Sequence, residues 1–141
     1  MRLVISLFAL LTVISSPALS APCPYTPQKG SPERHAIMNA LRAPVQNELR
    51  QRIIFVVNSL KVCGSWAALS GVPRQPGGIP VNYSQTRYRE AIAEDMFDDG
   101  IYALLWRDQN GWRAVKYVIG ATDYALPDWV RQYAAPQQII P

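Results

Sequence analysis

The chain reads as an α+β domain: an antiparallel four-stranded sheet packed with an N-terminal helix, a middle helix and a short C-terminal helix. Three observations predict it. A capped stripe of apolar residues at every fourth position, between 31 and 49, marks a helix ahead of any strand. Runs of β-branched and aromatic residues then come in two pairs, at 53–71 and 101–119. The second pair is joined by Asn110-Gly111, the dipeptide preferred in two-residue hairpins.

Taken in order, the chain of 141 residues opens with an export signal. Met1-Arg2 gives a positive start, Leu3 to Ile14 an apolar run, and Ala18-Leu19-Ser20 the small residues that a signal peptidase reads. Cleavage is expected before Ala21, leaving residues 21–141 as one domain. The apolar run is too short for a permanent membrane anchor. Pro22 before Cys23 does not fit lipoprotein processing. The expected location is the periplasm or the exterior of the cell.

The only cysteines, Cys23 and Cys63, read in such a compartment as one disulfide. The loop it closes is worth about 4 kcal/mol on the chain-entropy account.

Residues 21–30, with three prolines and a glycine, form an extended lead-in. Ser31-Pro32-Glu33 starts the first helix with a capping serine, a proline at the first helical position and an acid facing the dipole. Ile37, Leu41, Val45 and Leu49 form its stripe, and Pro44 is expected to kink or split it. Ile53 to Val62 is the first strand and Trp66 to Gly71 the second. Val72 to Tyr83, with three prolines and two glycines, is expected to be a long loop. Ser84 caps a second helix at 85–96, with Tyr88, Ile92 and Met96 on one face. Ile101 to Gln109 and Trp112 to Ile119 are the last strands. The Asn110-Gly111 turn sets Asp108 opposite Arg113, Trp106 opposite Val115, Leu104 opposite Tyr117 and Tyr102 opposite Ile119, on the core face. Leu105, Arg107 and Lys116 then point away. Pro127-Asp128 opens a short helix with Trp129 and Tyr133, and Pro136 to Pro141 is expected to fray.

A four-stranded sheet wrapping a helix is cystatin-like or small NTF2-like. The helix Glu33-Arg34-x-x-Ile37-Met38-Asn39-Ala40-Leu41-Arg42, the Gly64-Ser65-Trp66-Ala67 segment and the run Trp112-x-x-Val115-x-x-Val118-Ile119-Gly120-Ala121-Thr122-Asp123 resemble small uncharacterised exported bacterial proteins with such a domain. The resemblance spans most of the mature chain and attaches no activity to it, because fold does not fix function.

Chemistry-bearing patterns are sparse. His35, the one histidine, stands near Glu33 and could form an acid–base pair. A nucleophile triad would need it with Asp123 or Asp128 and a serine, but there is no Gly-x-Ser-x-Gly elbow. A single histidine also excludes a histidine-rich metal site. Glu90, Glu94, Asp95, Asp98 and Asp99 form the one acidic concentration, at spacings unlike an EF-hand loop. Helical phase spreads several of them along a solvated face. Gly77-Gly78 lacks the lysine and strand-to-helix setting of a phosphate loop. No cofactor or metal is expected. A net charge of +4 with dispersed arginines argues against nucleic acid.

Eleven arginines against three lysines, with aromatics at element ends, suit protein interfaces. The expected contact surface is the 72–83 loop with Arg74 and Tyr83, joined by Trp112 at a hairpin end. The function expected is a non-enzymatic exported binding protein of inhibitor or immunity type, facing an envelope or secreted enzyme or toxin. A homodimer through a sheet edge is compatible with it. A second reading is a small-molecule cone lined by Phe55, Trp106 and Tyr117. A third is a hydrolase using His35 or the acidic cluster, which requires those groups to converge in a cleft.

Overall fold

The structure is a computed structural model describing residues 22–141; the expected signal peptide, 1–20, lies outside the described residues. The fold is α+β. Helix α1 (Pro32–Leu49) precedes strands β1 (Ile54–Cys63), β2 (Trp66–Gln75) and β3 (Ile79–Pro80). Helix α2 (Arg89–Ala93), strands β4 (Ile101–Asp108) and β5 (Gly111–Ile119), and helix α3 (Leu126–Gln132) follow. The antiparallel sheet runs β1-β2-β4-β5, with β3 folded back on the end of β2. Among the described residues no helix is long and apolar enough to cross a membrane.

Helix α1 begins as its sequence dictates. Ser31 is extended and its side chain accepts from Arg34 N, satisfying one of the free amides of the first turn. Ile37, Leu41, Val45 and Leu49 are all buried against the sheet. Each such side chain contributes about 2 kcal/mol relative to exposure. Pro44 does not divide the helix, which runs unbroken for 18 residues. Buried residues on both sides of Pro44 hold the two halves in line, and their packing outweighs the one hydrogen bond that proline removes.

Three other expectations are corrected. Val72 to Tyr83 is not a long loop. Strand β2 continues to Gln75, a 3₁₀ turn at Pro76–Gly78 reverses the chain, and Ile79–Pro80 pairs back as β3, a fifth strand. The second helix shrinks to five residues, with Ile92 and Met96 exposed and Tyr88 buried. The C-terminus is docked rather than frayed, because Ile139 in the Gln137–Ile139 turn is fully buried.

The register of the β4–β5 hairpin also differs. Asp108 pairs with Gly111, Trp106 with Arg113, Leu104 with Lys116 and Tyr102 with Val118. A type I′ turn at Asn110-Gly111 would need positive φ at both residues. Only Gly111 has it (φ 109), and the loop is Gln109-Asn110, with Asn110 N donating to Asp108 Oδ1 at 2.7 Å. The aspartate side chain closes the turn one residue earlier than the Asn-Gly signal implies.

The consequence is a sheet buried on both faces. Ile101, Ala103 and Leu105 join Ile37, Leu41 and Val45 in the main core beneath α1. Leu104 and Ala68 face the other way, into a second core with Leu126, Trp129, Val130 and Ile139. Leu105, expected to point away from the core, lies within it. The disulfide joins Cys23 to Cys63 with their Cα atoms 4.7 Å apart. Tyr25 beside it bridges Val62 through two backbone hydrogen bonds of 2.9 and 2.8 Å. The lead-in is thereby pinned against the last residues of β1.

Candidate functional site

The sheet has two ends, and the charged and aromatic side chains sort by end. At the end where β1 turns into β2, Glu33 on α1 accepts from Tyr25 Oη at 2.8 and 2.9 Å and pairs with Arg107 at 3.2 Å. Arg107 lies 5.1 Å over the Trp112 ring. Burial, then the Glu33 carboxylate, raises the Tyr25 phenol above its ordinary value.

At the other end, Glu48 in the last turn of α1 is the hub of a tighter network. Its Oε2 accepts from Tyr117 Oη at 2.6 Å, and its Oε1 accepts from Tyr88 Oη and pairs with Arg87 at 2.9 Å. Burial opposes ionisation of Glu48. The hydrogen bonds from Tyr117 and Tyr88 and the Arg87 charge outweigh it, leaving the carboxyl below its usual range. Burial and then the Glu48 bond push Tyr88 up to about 12 and Tyr117 higher still. Both carboxylate oxygens are engaged, so the network joins α1, β5 and the 83–97 segment and presents no open acid or base.

Beside it, Tyr83, Tyr88 and Phe97 pack edge to face, with the Tyr83 and Phe97 centroids 4.8 Å apart. The Tyr83 hydroxyl is buried without a partner, and burial and then the Asp99 charge push its pKa up to about 12. Gly120 admits this packing. A Cβ there would lie 2.2 Å from the Phe97 ring, and its φ is +79.

The expected contact surface is split, with Arg74 near Tyr83 and Trp112 apart from both. Arg74 is paired with Asp99 at 3.3 Å, and Tyr83 packs on Phe97. Trp112 stands opposite Arg107, six residues along β4 from the end that Arg74 occupies, about 20 Å away. The expected cone is also divided. Phe55 and Tyr117 pack against the core under α1. Trp106 lies on the opposite face, 6.4 Å from Trp66, whose ring packs at a tilt on Tyr133 beside α3.

His35 and the acidic residues do not converge. His35 is exposed near the start of α1, whereas Asp98 and Asp99 lie at the far end of β4. Glu33 is taken by Tyr25 and Arg107. Asp98 accepts from Gly100 N at 2.9 Å, and Glu90, Glu94 and Asp95 are exposed. Among the described residues no three His, Cys, Asp or Glu side chains are grouped to hold a metal ion.

The sheet ends in two outer edges, β1 and β5, and of these only β1 carries exposed large apolar side chains among the described residues. Tyr25 covers Val62 there, and Thr26 Oγ1 donates to Leu60 O at 2.9 Å. At the other extreme, Ile53 N donates to Gln46 Oε1 at 2.9 Å and Ile53 O accepts from Arg42 Nε at 3.0 Å. Between these two covers, residues 54–59 pair with β2 alone. Phe55 and Val57 turn toward α1. Ile54 and Val56 turn to the other face, which is only partly covered here, and are 36% and 49% exposed. A bulge between Val57 and Ser59 breaks the ladder with β2. The start of this strand is apolar on both faces, which does not tell an edge from a centre. The signal missed was strand order: β1 opens the meander, and a strand that opens a meander lies at its edge.

No family model, curated protein or solved structure matches the chain.

Proposed function

We propose that this is a non-enzymatic protein-binding domain, exported to the periplasm or beyond, which holds an envelope or secreted protein in the manner of an inhibitor or immunity protein. The observation that carries the reading is the free stretch of β1, residues 54–59, with Ile54 and Val56 exposed on one side of it. Uncovered strand edges with adjacent apolar side chains accept an added strand from a partner. The disulfide, which suits an oxidising compartment, supports the export part of the reading. The titratable groups in unusual surroundings support the non-enzymatic part. The Glu48 carboxylate is engaged by Tyr88, Tyr117 and Arg87 together.

The element order also favours a cystatin-like architecture. A bridging residue, Tyr25, precedes one long helix, and an antiparallel meander follows it with an insertion between its second and third principal strands. That likeness is one of topology and supplies no target.

The test immobilises the mature, oxidised protein through a tag placed after Pro141 and exposes it to an envelope extract of its source. The variant Ile54→Lys/Val56→Lys, altered only at exposed positions, is run beside it. The expected result is one stoichiometric protein retained by the native chain and lost by the variant at unchanged Tm. Equal retention by both removes the β1 edge from the reading, and retention of no protein by the native chain removes the reading itself.

A further inference from the structure

We infer that the partner strand is acidic: the cleft between α1 and the free edge of β1 is built to receive an extended, carboxylate-bearing segment of another protein. This rests on the protein-binding reading above and adds the chemistry of the partner. Charge is divided unevenly along the chain. Residues 29–89 hold nine Lys and Arg against two acids, whereas residues 90–141 hold eight acids against four Lys and Arg. The two acids of the basic stretch are both engaged, Glu33 by Arg107 and Glu48 by Arg87.

Four of the cations that form no ion pair lie beside the free edge. Lys29, Arg34 and Lys61 line one depression together with Val57, Asn58 and Ser59 of β1. Arg34 also lines the adjoining depression along α1, which ends at Arg42. Arg34 spends one N–H on Pro27 O at 3.1 Å, and Arg42 spends Nε on Ile53 O. The ion pairs among the described residues use Arg74, Arg87, Arg107 and Arg131, and none of these four cations. A row of cations along a strand edge has two physical effects. It repels a second basic edge, and it attracts an edge of opposite sign.

That sign selects among occupants. A second copy pairing β1 to β1 would set Lys29, Arg34 and Lys61 against their own equivalents. Pairing β1 to the outer edge of β5 would bring them to Arg113 and Lys116. An acidic strand satisfies the exposed backbone of 54–59 and the cations together. Its alternate side chains meet the α1 side, where Arg34 and Arg42 stand, and the opposite face, where Ile54, Val56 and, beyond the bulge, Lys61 stand. The segment that fits alternates acidic and aliphatic residues.

The probe is a capped eight-residue peptide alternating Glu and Val, titrated into isotope-labelled mature protein and read by amide chemical shifts. Two controls accompany it: the same peptide with Lys for Glu, and one N-methylated at alternate residues to remove strand hydrogen bonds. Expected are shifts confined to 54–61 and to the neighbourhood of Lys29 and Arg34, absent with either control. Lys29→Glu/Lys61→Glu, at positions that make no side-chain hydrogen bond or ion pair among the described residues, should weaken binding at least about tenfold and leave Tm unchanged. Absence of shifts in β1 at millimolar peptide, or equal shifts with the Lys peptide, overturns the inference. If the envelope partner is still captured by Lys29→Glu/Lys61→Glu, protein binding stands and the acidic strand falls. If the native chain captures nothing, the wider reading falls with it.

Discussion

Tyr117 Oη donates to Glu48 Oε2 at 2.6 Å across 69 positions of sequence, fastening the far end of β5 to the last turn of α1. The same carboxylate accepts from Tyr88, so one side chain holds three segments in place. Glu48→Ala leaves two partly buried phenols without their acceptor. The expected loss is about 3 kcal/mol in urea unfolding, at the cost of about 1–3 kcal/mol for each orphaned group. Glu48→Gln, which keeps one acceptor oxygen, should lose less. Equal losses for the two variants would show that packing, not the carboxylate, holds the junction.

The tyrosines set an alkaline limit to stability. Tyr83 and Tyr88 are both pushed up to about 12, by burial first, and Tyr117 is raised as well. A phenol whose folded pKa exceeds its unfolded value stabilises the fold while protonated. That stability is complete below the unfolded value of 10.0 and is lost as pH rises toward 12. Stability should therefore fall steeply between pH 10 and 12, with part of the tyrosinate absorbance appearing only on unfolding. On the acid side Glu48 acts in the opposite sense. Its depressed carboxyl supports the fold above the ordinary carboxylate range, and that support fades as pH falls through its lowered value. Glu48→Gln should flatten the acid limb.

Tyr83 makes an unusual prediction. Its hydroxyl is buried with no partner, so Tyr83→Phe removes a desolvated polar group and keeps the ring packing on Phe97 and Tyr88. The expected change is a gain of about 1 kcal/mol, read as a higher urea midpoint at unchanged slope. A loss would mean that the hydroxyl is satisfied in solution.

Gly120 and Phe97 are coupled by contact. Gly120→Ala places a methyl within the Phe97 ring and strains a positive φ, at a cost of about 3 kcal/mol. In a Phe97→Ala background the clash is gone and only the backbone strain of about 1 kcal/mol remains. A double-mutant cycle should therefore give a coupling of about 2 kcal/mol, and additivity would contradict the packing described.

Reduction of the disulfide releases the lead-in from β1 and should lower stability by about 4 kcal/mol, measured as Tm with and without reductant or in Cys23→Ser/Cys63→Ser. It also exposes the outer edge at Leu60 and Val62, which Thr26 and Tyr25 cover.

Local chemistry made much of this fold legible. The Ser31 cap, the stripe from Ile37 to Leu49, the two strand pairs and the cysteine pair all follow from neighbouring residues. What failed depended on long-range packing. The Asn110-Gly111 signal gives a turn but not its register, because the Asp108 side chain competes for the same amide. Leu104 and Leu105 are adjacent and both fully buried, one on each face of the sheet, whereas the expected register left Leu105 pointing away from the core. Ile92 and Met96 share helical spacing with Tyr88, but five residues of helix are too few to bury them. The contact trio Arg74, Tyr83 and Trp112 met the composition rules for interfaces, and the meander keeps Arg74 near Tyr83 but carries Trp112 to the other end of the sheet. The edge position of β1 and the saturation of Glu48 are properties of topology and have no local signature.

The central claim is that residues 54–59 are where a partner strand adds. Amide hydrogen exchange on the mature, oxidised protein, alone and bound to the protein it retains from envelope extract, tests this most directly. The account predicts new protection at 54–59, with 72–83 and the neighbourhood of Trp112 unchanged. Protection at 72–83 or around Trp112, with exchange at 54–59 unaltered, would contradict it.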